Sequence, residues 1–314
     1  MKITTPLPKI VFLLYIICIP CCAIDGSWRS DGETLPFHPS WEEAAPGVWK
    51  ARVNNPERVT LLGTAGQEPR LPALAALGAA EFPLAVSEIE ARVVDGKTFL
   101  KFPLEKGEQI YGLGLNFKTV EQRGRILRLH VDHFGGEDNG RTHAPVPFYV
   151  SSKGYGVLID SARYIDIYVG TAVRRDNPDH PEPRDRNTDR KWAARPGSDG
   201  VEMLIPSDGV ELYVFGGPGM LRAVQRFNLF CGGGCLPPTW GLGFWQRTPT
   251  LFTEQDVMNE VAAFEEKGFP LDVIGLEPGW QSKAYPCTYE WDPGRFPNAA
   301  EFVASLRRKG IRVN

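Results

Sequence analysis

Cysteine is sparse here. Beyond residue 23 the 314-residue chain holds only Cys231, Cys235 and Cys287, so at most one internal disulfide can form and no framework of bridges carries the fold. Cys231 and Cys235 flank three glycines and could close a small loop, but three thiols at this spacing are too few for a structural zinc site. Unpaired loop cysteines are the simpler reading. The sequence also lacks an apolar run of the roughly 20 residues a helix needs to cross a bilayer; 10-IVFLLYIICI-19 is half that length. It has no excess of basic charge, with a net −3 over the whole chain, which argues against a nucleic-acid or anionic-membrane partner. GxSxG, HExxH, a Walker loop and a Cys/His nucleophile pattern are all missing, which removes the commonest hydrolase and nucleotide-binding signatures.

What is present is ample apolar material, 42% hydrophobic against 23% charged, enough for one large or two ordinary globular domains. Lys2 and Lys9 precede the short apolar run, and Pro20 with 21-CCA-23 follows it, the layout of a secretory signal peptide cleaved after Ala23. A secreted or periplasmic location is expected. A lipoprotein site at Cys21 or Cys22 is the alternative, although the residues before each fit it poorly. Without residues 1–23, which hold two lysines and no acid, 33 basic face 38 acidic side chains, a net −5.

From about residue 47 to 216 helical periodicity is scarce and short extended segments alternate with turn residues. In 126-ILRLHVDHF-134 apolar and polar residues alternate; 147-PFYVS-151 and 155-YGVLID-160 flank 152-SKG-154 as a hairpin would; and Ile165, Ile167 and Val169 share one face. Such strands indicate a two-sheet sandwich. The stretch 173–197, dense in prolines and charges of both signs, reads as a long solvated loop, and 69–83 as a loop with one helical turn.

After residue 217 the period changes. Pro218 opens a predicted helix with Met220, Leu221, Val224 and Phe227 on one stripe, followed by the linker 231-CGGGCLPP-238. Then 241-GLGFWQ-246 reads as a strand, and Thr253 with Asp256 as the cap of a helix carrying Val257, Val261 and Phe264. Next come the strand 271-LDVIGL-276 and a helix capped by Asn298 with Glu301, carrying Phe302, Val303 and Leu306. The strand 311-IRV-313 ends the series. This βαβαβ order implies parallel strands, and the missing glycine-rich phosphate fingerprint after the first strand favours a (β/α)₈ barrel over a Rossmann sheet. The predicted division is signal 1–23, β-sandwich with helix and linker 24–236, and the start of a barrel 237–314.

Barrel enzymes place functional groups at the C-terminal ends of their strands. Glu277 ends the second strand, Gln246 the first, and Trp280 lies in the loop beside Glu277. A carboxylate beside an indole suits a sugar, the acid accepting from hydroxyls and the ring packing on the C–H face; an ordinary exposed Glu is the alternative. His130 and His133 in one strand would diverge, so no metal pair is expected.

The runs 112-GLG-114, 147-PFYVSSKGYGVLID-160, 237-PPTWGLGFWQ-246, 270-PLDVIGLEPGW-280 and 291-WDPGRFPN-298 together resemble glycoside hydrolase family 31. The resemblance spans residues 47 to 314 and implies a galactose mutarotase-like β-sandwich before a catalytic barrel, shortened here after the third strand. It implies an α-glucosidase- or α-xylosidase-like retaining, exo-acting enzyme that needs no metal or cofactor and takes a carbohydrate substrate. The family's two catalytic aspartates follow later strands, so none is expected in residues 1–314, and this stretch is expected to be an inactive fragment. The family's sugar-binding aspartate at strand two corresponds to Glu277, one methylene longer, and a sandwich-loop aspartate to Asp132. Trp245 and Gln246 match the end of strand one. A non-catalytic carbohydrate-binding module or pseudoenzyme is the alternative.

Overall fold

The computed structural model describes residues 35–314 apart from 95, 117, 132–141, 143, 172–184, 186, 189–196 and 285–286. The signal at 1–23, Asp132, His133 and most of the charged stretch 173–197 fall outside the described residues. The chain divides into two compact units, one ending at Gly234 and one beginning at Cys235.

In chain order the first unit runs Leu35–Phe37 (β1), Glu42–Ala45 (β2), Val48–Asn54 (β3), Leu61–Ala65 (α1), Leu71–Ala76 (α2), Glu90–Val94 (β4), Lys97–Pro103 (β5), Ile110–Gly112 (β6), Ile126–Arg128 (β7), Phe148–Ser151 (β8), Gly156–Asp160 (β9), Asp166–Thr171 (β10), Gly197–Ile205 (β11), Gly209–Phe215 (β12) and Met220–Phe230 (α3). Among the described residues these strands form two antiparallel sheets, ordered β1-β4-β5-β11-β10-β7 and β2-β3-β12-β9-β8-β6. Leu100, Phe102, Ile167 and Val169 of the first sheet meet Val157, Ile159, Leu212 and Val214 of the second in one buried cluster, the interdigitated interior of a sandwich. Ile165, Ile167 and Val169 are all buried, as their spacing predicted.

The outer face of the second sheet is covered as well. Phe148, Leu158, Tyr213 and Phe215 pack against Leu74 of α2 and Phe227 and Phe230 of α3, with Phe148 and Phe227 stacked at 3.8 Å. Every residue of β8 and β9 is therefore buried, which is why this hairpin reads as continuous apolar sequence rather than alternation.

Two expectations need correction in this unit. The strand over 126–134 is short: β7 stops at Arg128, where His130 N–H turns back to the Arg128 carbonyl at 2.7 Å and the His130 ring lies 4.1 Å from that of Tyr164. Helix α3 is present, but its stripe is turned. Ala223, Arg226 and Phe230 are buried, while Met220, Leu221 and Val224 are exposed. The cause is Arg226, whose guanidinium donates to the carbonyls of Gly216 at 2.6 Å, Gly78 at 2.8 Å and Pro46 at 3.4 Å. Three backbone acceptors satisfy a cation that a hydrophobicity pattern places on the surface.

Past α3 the chain is tied down. Gly232, Gly233 and Gly234 adopt φ of 97°, 86° and 68°, the Gly232 carbonyl accepts from Arg70 Nε at 2.7 Å, and Gly233 N–H donates to Asn228 O at 2.8 Å. Cys231, Cys235 and Cys287 are free thiols. Burial, aided by the Asp160 carboxylate, pushes Cys231 up to about 11, so it is a poor nucleophile at neutral pH.

The second unit contains a 3₁₀ turn at Thr239–Leu242, then Trp245–Arg247 (β13), Glu254–Glu266 (α4), Val273–Gly275 (β14), a 3₁₀ turn at Pro278–Trp280, Ala299–Arg308 (α5) and Arg312–Val313 (β15). The sheet order is β13-β14-β15 with both pairings parallel, the expected βαβαβ. The first strand is shorter than 241–246, because Asp272 accepts the Phe244 N–H at 2.8 Å and leaves no room for a Cβ at Gly243. Thr253 and Asp256 form a reciprocal capping box on α4. Asn298 does not cap α5: with φ −121° and ψ 44° its side chain makes no cap bond, and Glu301 pairs with Arg308 instead.

Candidate functional site

Parallel strands put residues in register on the same side of a sheet, and side chains alternate sides. Gln246, Ile274 and Val313 are in register. Their side faces the helices, since Ile274 packs with Val257 and Val261 of α4 and Phe302 and Leu306 of α5. The Gln246 amide follows, donating to Glu260 of α4 at 3.0 Å. Trp245 and Arg247 therefore occupy the opposite, barrel-interior side, together with Val273 and Gly275.

Glu277, two residues beyond Gly275, returns to that interior side. Its Oε1 forms an ion pair with Arg247 Nε, so the acid ending strand two is joined to the base ending strand one. Glu277 is 23% exposed and Arg247 77%, a half-buried acceptor beside a solvated donor. Thr248 follows at once and is buried; its N–H and hydroxyl both reach the Gly275 carbonyl, at 2.9 and 3.2 Å, fixing where the first loop leaves the sheet.

The loop after Glu277 is built to fixed geometry. A Cβ on Gly279 would stand 2.0 Å from the Thr250 carbonyl, so only glycine permits the first and second loops to touch. Arg295 spans both, donating to Thr250 O at 2.9 Å and Gln281 O at 3.4 Å. Its own position is set by Asp292, whose carboxyl the Arg295 N–H, then the Arg295 side chain, hold below the usual carboxylate range. The run WDPGRFPN is thus a brace beneath the site.

Among the residues predicted from sequence, Glu277 stands at the strand end as expected, while Gln246 is turned away to α4. Trp280 packs on Trp291 with ring centroids 4.8 Å apart and joins the helix-side core. The expected carboxylate-and-indole grip gives way to a carboxylate–guanidinium pair. Asp132 lies outside the described residues. Arg247, not among the residues predicted from sequence, is placed beside Glu277 by the register of β13 with β14, which alternation within three strand residues does not reveal. Among the described residues no group of three or more His, Cys, Asp or Glu side chains is placed to hold a metal.

Residues 234–314 match the family 31 glycosyl hydrolase TIM-barrel domain, and residues 33–167 match the family 31 N-terminal galactose mutarotase-like domain. The chain belongs to glycosyl hydrolase family 31. It is 28% identical over 208 residues to the alpha-xylosidase XylQ of Lactiplantibacillus pentosus, an alignment covering 66% of this chain and 24% of that protein. It is 38% identical over 104 residues to alpha-glucosidase 2 of Bacillus thermoamyloliquefaciens, covering 33% of this chain and 13% of that protein. A family 31 dextranase from Flavobacterium johnsoniae, solved with glucose, superposes at TM-score 0.61 and 16% identity over 90% of this chain and 37% of its own; at that identity the likeness speaks for fold alone. The chain spans about a quarter of the length of the curated alpha-xylosidases it matches.

Proposed function

We propose that residues 1–314 are the sugar-holding N-terminal part of an exported retaining α-glycosidase that acts on the non-reducing end of α-linked oligosaccharides. The observation that carries this is Glu277: an interior-facing carboxylate at the end of the second barrel strand, half-buried and braced, in a chain of this family. Its role is to accept hydrogen bonds from hydroxyls of the terminal sugar. The carboxyl pair that a retaining mechanism needs, about 5 Å apart across the sugar, is assigned to later strands of the barrel. Residues 1–23 act as the export signal.

Residues 1–314 alone are expected to release no chromophore from aryl α-glucosides or α-xylosides, while millimolar monosaccharide raises their melting temperature in a Glu277-dependent way. Thermal shift of wild type against Glu277→Ala decides between readings. Equal stabilisation of both proteins removes Glu277 from the site, and measurable turnover means that the catalytic acids lie within this stretch.

A further inference from the structure

Arg247 meets Glu277 as an ion pair. Nε is the nitrogen nearest Glu277 Oε1, and among the described residues the guanidinium donates no hydrogen bond, which leaves its N–H groups open to a ligand in a rigid fork. Glu277 Oε2 likewise accepts nothing among the described residues. The cross-strand partner of Arg247 is Gly275, where a Cβ would meet only backbone, at 3.8 and 3.9 Å, so no side chain rises between donor and acceptor. A carboxylate oxygen and guanidinium hydrogens held side by side match two adjacent hydroxyls, one donating and one accepting. The pair carries no net charge, and its carboxylate would repel a second one, so the complementary ligand is a neutral sugar rather than a uronic acid.

We propose that Arg247 is a specificity-determining residue of this site: its terminal nitrogens donate to one hydroxyl of a neutral α-glycosyl unit whose neighbouring hydroxyl donates to Glu277. The assignment rests on the reading of the β14 end as the sugar-holding position. It also gives the length of Glu277 a purpose, since the longer acid reaches across to the neighbouring strand.

The test is a ligand-observed NMR titration of the 314-residue chain with methyl α-D-xyloside, its monodeoxy analogues and methyl α-D-glucuronide, using wild type, Arg247→Ala, Arg247→Lys and Glu277→Gln. Arg247→Ala is expected to weaken the xyloside about tenfold or more, the worth of a charge-assisted hydrogen bond, with Arg247→Lys recovering part of the loss. One monodeoxy analogue should bind wild type weakly and be insensitive to Arg247→Ala, the coupling expected of direct contact. If Glu277→Gln loses affinity while Arg247→Ala binds as wild type does, the role of Arg247 is overturned and the sugar-holding reading stands. If neither variant changes binding, or wild type binds no sugar, both fall. Tighter binding of the glucuronide than of the xyloside overturns the neutral-sugar assignment.

Discussion

Asp292 receives four hydrogen bonds from two residues: the N–H groups of Gly294 and Arg295 at 2.8 and 3.0 Å, and Nε and Nη2 of Arg295 at 3.3 and 3.0 Å. All four favour the ionised carboxylate, the stronger acceptor, so folding lowers its pKa. The sign follows directly: a carboxyl depressed in the folded state contributes stability that is complete above its unfolded pKa of about 3.9 and is lost as pH falls through the folded value. Thermal melts at pH 7, 5 and 3 are expected to fall with acid in the wild type and to fall less steeply in Asp292→Asn. Identical slopes would mean that the brace draws nothing from this charge. Asp256, lowered by the Thr253 N–H and then its hydroxyl, leaves part of the acid sensitivity in the variant. At this scale the sequence was half legible. Glu277 stood out because an acid ending an apolar run needs a reason, whereas Arg247 was hidden beside Gln246, since three strand residues do not announce which side is interior.

The two helices of the second unit differ at their first turns in a way their sequences conceal. Thr253 and Asn298 are both good cap residues with an acid three positions on, yet only Thr253 closes the box. The backbone N–H of Asn298 donates instead to Glu254 at 3.2 Å, and its ψ has left the extended region that a capping side chain needs. Thr253→Ala is expected to cost about 1 kcal/mol of stability in urea unfolding, and Asn298→Ala a few tenths. Equal losses would show that the Asn298 side chain caps in solution. The same limit applies to α3. Its existence and length were readable from periodicity, but its facing was not, because three distant carbonyls make a home for Arg226 and local pattern cannot report them.

Over the whole molecule, the change from period two to period 3.6 near residue 217 was enough to read a sandwich followed by parallel βαβαβ, because each architecture buries a differently spaced set of side chains. Position in the cell rests on residues 1–23 alone. The proposed export signal predicts that Edman sequencing of material recovered outside the cytoplasm begins at Ile24; an N-terminus that retains Met1, or a blocked, lipid-modified Cys21 or Cys22, would overturn cleavage after Ala23. The run CGGGC, read from sequence as a linker, passes through three successive left-handed positions, the first two of them held by hydrogen bonds. L-amino acids resist that hand, and glycine is indifferent to it because it has no hand of its own. The path of the chain out of α3 is therefore written in achirality: what looks like slack in the sequence is a stereochemical instruction that no other residue can carry without strain.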